Sequence, residues 1–230
     1  MSLFAKMLSG SSLLNGLMAY YKLEEAVGTR IDSSGGNNHL TAINTPGNTS
    51  GIVGNGVLLV AANSQYLTGP ISNHGVYSQI TLSFWFNRAN AATDILSVGW
   101  HGVLNNRFYS LVYVNGNIYG VCENGSSGYV VFASSAASTW HHLVMIFNGN
   151  LPIPGRISFY LDGVLQNASV AISPPPTFNI SAAGDFRMGG DVTFGSSNGG
   201  VDECGVWNRV LTPIEIATLF GHGSPKTYPF

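Results

Sequence analysis

Short runs rich in Val, Ile, Tyr, Phe and Trp recur along the chain with turn-forming residues between them, the pattern of antiparallel strands. The clearest are 79–88 (QITLSFWFNR), 107–114 (RFYSLVYV), 118–123 (IYGVCE), 128–133 (GYVVFA), 139–148 (TWHHLVMIFN) and 156–166 (RISFYLDGVLQ). Asn115-Gly116 and Asp162-Gly163 supply the residues that tight hairpin turns need, so 107–123 reads as one hairpin. Helical periodicity lasts three turns nowhere before residue 211. There TPIEIATLFGHG predicts one short terminal helix: Thr212 caps it, Pro213 takes the first helical position, Glu215 completes a capping box, and Gly221 or Gly223 stops it. Residues 1–16 are less patterned and read as an N-terminal arm, with one domain over 17–230. Pro174-Pro175-Pro176 marks a stiff loop between strands.

Composition narrows the function classes. Charged residues make up 9% of the 230 residues, against about 25% in ordinary soluble proteins. Net charge is −2 and the nine basic residues are scattered, so no patch exists to neutralise phosphates and no nucleic-acid partner is expected. No apolar run reaches the roughly 18 residues of a membrane span. The N-terminal stretch is broken by Ser-Gly-Ser-Ser and shows no clear signal peptide. Cys122 and Cys204 lie far apart in the chain; one bridge or two buried thiols both remain open.

Four stretches together resemble the laminin-G-like jelly rolls of the concanavalin A-like lectin and glucanase superfamily. They are LMAYYKLEEAVGTRIDSSGGNNHLTAI (17–43), QITLSFWFNR (79–88), the segment from STWHHLVMIFNG to SFYLDGVLQ (138–166), and GGVDECGVWNRVLTPIEIATLF (199–220). The resemblance covers about 17–223 and implies an all-β, two-sheet antiparallel jelly-roll sandwich with a short C-terminal helix. It also implies an extracellular recognition or adhesion module whose loops contact glycan or a surface protein, while the low charge and the poorly patterned 1–16 arm suit a virion-surface protein. The alternative is a structural or decorating protein docking on a capsid or tail scaffold.

Candidate chemistry follows from residue types. Glucanases of this superfamily set carboxylates on alternate positions of one strand. Here the acidic doublets are Glu24-Glu25 and Asp202-Glu203, whose neighbours point to opposite faces, so no hydrolase is expected. Asp32, Asn37 and Asn38 on a glycine-rich loop, with Asp202 of the closing strand, could supply oxygens to Ca²⁺, and some jelly rolls of the family use equivalent Asp residues so. Alternatively, Asp32 forms a turn and Asp202 accepts backbone N–H groups. Alternation over 201–207 puts Asp202 on the face of Cys204 and Val206. The rings of His141 and His142 face opposite ways and cannot share a metal.

For a glycan, Trp100 and His101 in a long loop 89–106, with Asn105, Asn106 and Arg107, offer stacking and hydrogen bonds. Tyr129, with Glu123 and Asn124, forms a second loop cluster. The competing reading places Trp85, Trp140 and Trp207 in the core and Trp100 over a sheet edge.

Overall fold

The computed structural model describes residues 13–71, 75–90, 94–101, 107–113, 116–124, 128–133, 139–179, 184–190 and 197–230. Its strands run in chain order as β1 (Leu17–Tyr21), β2 (Thr41–Ile43), β3 (Gly47–Ser50), β4 (Asn55–Leu59), β5 (Tyr66–Gly69) and β6 (Val76–Tyr77). There follow β7 (Gln79–Asn87), β8 (Leu96–His101), β9 (Arg107–Tyr113), β10 (Asn117–Cys122), β11 (Tyr129–Ala133) and β12 (His141–Asn148). The last are β13 (Ile157–Leu161), β14 (Val164–Leu165), β15 (Ser169–Ile172), β16 (Phe178–Asn179), β17 (Phe186–Met188) and β18 (Gly199–Trp207), before helix α1 (Pro213–Phe220).

Two antiparallel sheets form the sandwich. The first orders its strands β14-β13-β12-β7-β18-β4-β3, with β1 also paired to β18; the second runs β15-β11-β10-β9-β8-β17-β5-β2. Alternate residues of each sheet point inward, and Phe84, Phe86, Leu143, Met145 and Val201 of the first meet Val98, Trp100, Phe108, Ile118 and Phe186 of the second in one core.

The β9–β10 hairpin forms with Asn117 opposite Tyr113, and Asp162 and Gly163 take the positive φ values of a tight turn between β13 and β14. Helix α1 starts as its sequence prescribes. The Thr212 side chain accepts from the Glu215 N–H, Glu215 accepts from the Thr212 N–H, and Gly221 closes the helix in the left-handed region. Its Ile216 and Leu219 pack with Leu13, Tyr20, Val144, Ile146 and Trp207 on the outer face of the first sheet.

The closing strand departs from simple alternation. Between Asp202, opposite Trp85, and Gly205, opposite Ser83, the register shifts, and Glu203 sits at φ 47°, the signature of a β-bulge. The extra residue reverses the parity. Val201, Cys204 and Val206 enter the core, while Asp202 points away from them, which corrects the expected sharing of one face. Both cysteines are free and buried, so no bridge joins them. The last residues of the expected 1–16 arm are tied to the body: Leu13 is fully buried, its carbonyl accepts from Trp207 Nε1 at 2.7 Å, and the Asn15 carbonyl accepts from Arg209.

Candidate functional site

Of the residues singled out for ligand contact, His101, Arg107 and Tyr129 converge on the outer face of the second sheet. The β9–β10–β11 register sets Tyr109, Val121 and Tyr129 directly opposite one another in a row across three strands, with Gly99 of β8 opposite Tyr109. Gly99 lies at φ 141°, and a Cβ there would stand 2.7 Å from the Tyr109 Cβ, so glycine is what lets the tyrosine pack against β8. The His101 ring lies 4.5 Å from the Tyr109 ring, and the Arg107 guanidinium 6.0 Å from the same ring. Arg107 Nε and Nη2 donate to the two carboxylate oxygens of Glu123 at 2.7 and 3.0 Å. Such a bidentate, buried pair is rigid and costly to break from one side.

Tyr119 and Tyr129 remain partly exposed, their centroids 6.1 Å apart. His101, Arg107 and Glu123 are buried beside them. Sequence reasoning separated Arg107 and Tyr129 into two loop clusters and passed over Tyr109 and Tyr119. The two-residue alternation of the 107–123 hairpin is the signal that would have joined them.

Trp100 is elsewhere. Strand β8 occupies Leu96–His101, inside what reads as a long loop, and its alternation turns Leu96, Val98 and Trp100 inward. Trp100 is fully buried among Phe108, Phe178 and Phe186, so it offers no surface for stacking. Asn105 and Asn106 lie outside the described residues.

The proposed calcium ligands are engaged by backbone donors. Asp32 Oδ1 accepts from the N–H groups of Tyr20 and Ser34 and Oδ2 from that of Asn38. Asn38 donates its amide to the Met18 carbonyl at 2.9 Å, and Asn37 is exposed at φ 56°. Asp202 accepts from Ile52, Val53 and Glu203 N–H groups. Among the described residues, no three His, Cys, Asp or Glu side chains group as a metal site.

Beside the bulge, Tyr20 Oη donates to Glu203 at 2.5 Å, and Ser83 Oγ lies 2.8 Å from His142 Nε2. The serine–histidine pair has the spacing of a nucleophile and base, but it is buried beneath Trp85 and Phe220, and burial pushes the imidazole down to about 3. Burial thus withholds from the pair both solvent access and a basic imidazole. Glu24 and Glu25 accept from the N–H groups of Asn55 and Ile31.

A family profile described as the concanavalin A-like lectin/glucanases superfamily, of laminin-G type, matches residues 61–217. The chain belongs to this superfamily. No curated protein sequence matches it. Among solved structures, this jelly roll is similar to the receptor-binding domain of botulinum neurotoxin mosaic serotype C/D, with 14% identity and a TM-score of 0.67 over 90% of this chain and 51% of that one. It is also similar to the botulinum neurotoxin DC binding domain in complex with rat synaptotagmin II (14%, TM-score 0.62, 90% and 52%). A third is the serotype D ligand-binding domain in complex with N-acetylneuraminic acid (14%, TM-score 0.62, 93% and 52%). The chain thus spans about half the length of these structures, and at such identities they show a shared fold.

Proposed function

We propose that the chain is a non-catalytic recognition module that binds glycan through the outer face of its second sheet. The observation that carries this is the partly exposed Tyr119–Tyr129 pair, in which Tyr129 shares a row with Tyr109 through Val121, beside the fixed Arg107–Glu123 pair. Tyrosines present flat apolar faces to sugar rings and hydroxyls to their rims at small entropic cost. The two neurotoxin binding domains in complex, one with N-acetylneuraminic acid and one with synaptotagmin II, support recognition as the role of the fold. A glycan array followed by calorimetric titration of the best ligand tests the reading. Tyr129→Ala is expected to weaken binding about tenfold or more, or about 1.4 kcal/mol. An array without signal, with capture of a defined protein abolished by Tyr129→Ala, would reassign the face to protein recognition.

A further inference from the structure

The two histidines that open β12 differ in their surroundings. His142 lies beneath Trp85 and Phe220 with no hydrogen-bond partner at Nδ1, whereas His141 holds a partner on each ring nitrogen. Its Nε2 lies 3.1 Å from Thr139 Oγ1 and its Nδ1 2.8 Å from Asp162 Oδ2. We propose that Thr139, His141 and Asp162 form a hydroxyl–imidazole–carboxylate relay that makes Thr139 a covalent acceptor site for an acyl group carried on an activated ester. The site belongs to the first sheet, apart from the tyrosine row, and does not rest on the recognition reading.

The carboxylate is anchored by backbone. Asp162 sits at φ 51° in the β13–β14 turn, its N–H donates to the His142 carbonyl, and its Oδ1 accepts from the His142 N–H, each at 2.8 Å. Burial opposes its charge, yet the hydrogen bonds from His141 and the His142 N–H outweigh that and hold the carboxyl below the ordinary aspartate range. An ionised carboxylate only accepts, so the proton of a neutral His141 ring stands on Nδ1. The Nε2 lone pair then faces the threonine hydroxyl, which donates to it. This is the protonation state that a general base needs.

The arrangement is both held and reachable. Trp140, between Thr139 and His141, is pinned by its Nε1 donating to the Ser50 carbonyl at 3.2 Å, and the His141 ring lies 5.9 Å from that of Phe86 on the neighbouring strand. Thr139 is exposed, and the side chains of His141 and Asp162 keep 22% and 36% of their surface. Nucleophile, base and orienting carboxylate are thus present in open solution, where the Ser83–His142 pair is buried. In the step proposed, Thr139 Oγ1 bonds to the carbonyl carbon of the ester as its proton passes to His141 Nε2. The bond from that carbon to the leaving oxygen then breaks, and the proton returns to that oxygen. The alcohol departs, a threonine ester remains, and nothing is oxidised or reduced. The product stays on the chain, so the step is a modification and not a turnover reaction.

The probe is p-nitrophenyl acetate, with peptide mapping of acid-quenched samples to locate the acetyl group and nitrophenolate release to time it. Thr139 is expected to carry the acetyl group, gained about 100-fold faster than in His141→Gln, the lower end of what a positioned base supplies. Thr139→Val, which keeps the shape of an exposed side chain, should lose the label and the matching release, and Thr139→Ser should keep both. Asp162→Asn tests the positioning residue. The His142 N–H still demands an oxygen, so the amide NH₂ turns to His141 Nδ1, and the proton of the neutral ring moves to Nε2. Long-range proton–nitrogen NMR should show that change of tautomer, with labelling slowed about 100-fold. Labelling of Thr139 at the parent's rate in His141→Gln or in Asp162→Asn would overturn the inference. So would acetyl groups confined to lysines, the amino terminus or the imidazole, or release that Thr139→Val leaves unchanged.

Discussion

Glu203 is the residue whose environment departs furthest from what its neighbours in sequence suggest. The bulge turns its carboxyl into a buried site where Oε2 accepts from Tyr20 and Oε1 has no hydrogen-bond partner. Burial is the leading cause that pushes it up to about 7, opposed by the Tyr20 hydroxyl. Burial likewise pushes Asp202 up to about 8 in spite of its backbone donors. In the unfolded chain both carboxyls titrate near 4. The native state therefore holds protons that the unfolded state releases, and stability falls as pH rises from about 4 to about 8. Urea midpoints at pH 5 and pH 8 should show that fall. Glu203→Gln, which keeps an acceptor for Tyr20, should shrink it by roughly 1–3 kcal/mol; equal slopes in variant and parent would refute the assignment. At Asp32, three backbone N–H groups already bond the carboxylate, and a cation would compete with them. Its melting temperature should be the same in calcium and in EGTA. A rise reversed by EGTA and lost in Asp32→Asn would establish the metal site.

Among the elements, α1 was written most openly in the chain, because caps are local chemistry: Thr212, Pro213, Glu215 and Gly221 each act within one turn. Thr212→Ala removes the reciprocal cap and should cost about 1 kcal/mol, read as a lowered urea midpoint with an unchanged slope. The hairpins at 107–123 and at Asp162-Gly163 were legible for the same reason. The bulge was not. It depends on Glu203 adopting a left-handed conformation with neither Gly nor Asn to announce it, and one such residue moved Asp202 to the opposite face. Strand β8 was hidden too, because Leu96–His101 is flanked by polar, loop-like sequence, so Trp100 read as a surface residue. The candidate site was half visible. The chemistry of Arg107, Glu123 and Tyr129 showed in the residue types, while their convergence depends on a strand register that no local segment encodes.

For the molecule as a whole, the first sheet's outer face is divided. One end is sealed by α1, by Leu13, and by Tyr228 and Phe230, which pack against Tyr20 and Trp207; at the other, Trp140 is only partly buried. The sealed end predicts that residues 13–16 belong to the folded body. Leu13→Ala should lower stability by about 2–5 kcal/mol, the range for a fully buried leucine, as measured by chemical denaturation. Loss below about 0.5 kcal/mol would return the segment to the arm.

The two thiols bear on where such a module can operate. Cys122 and Cys204 are buried and unjoined, and burial pushes both far above the range in which a thiolate forms. The sandwich is held by packing and strand pairing, with no disulfide between its two cysteines for glutathione to cut and with both thiols shielded from an oxidant. It can therefore be made in a reducing interior and work in an oxidising medium as the same object, needing neither an oxidase to finish it nor a chaperone to guard its sulfurs.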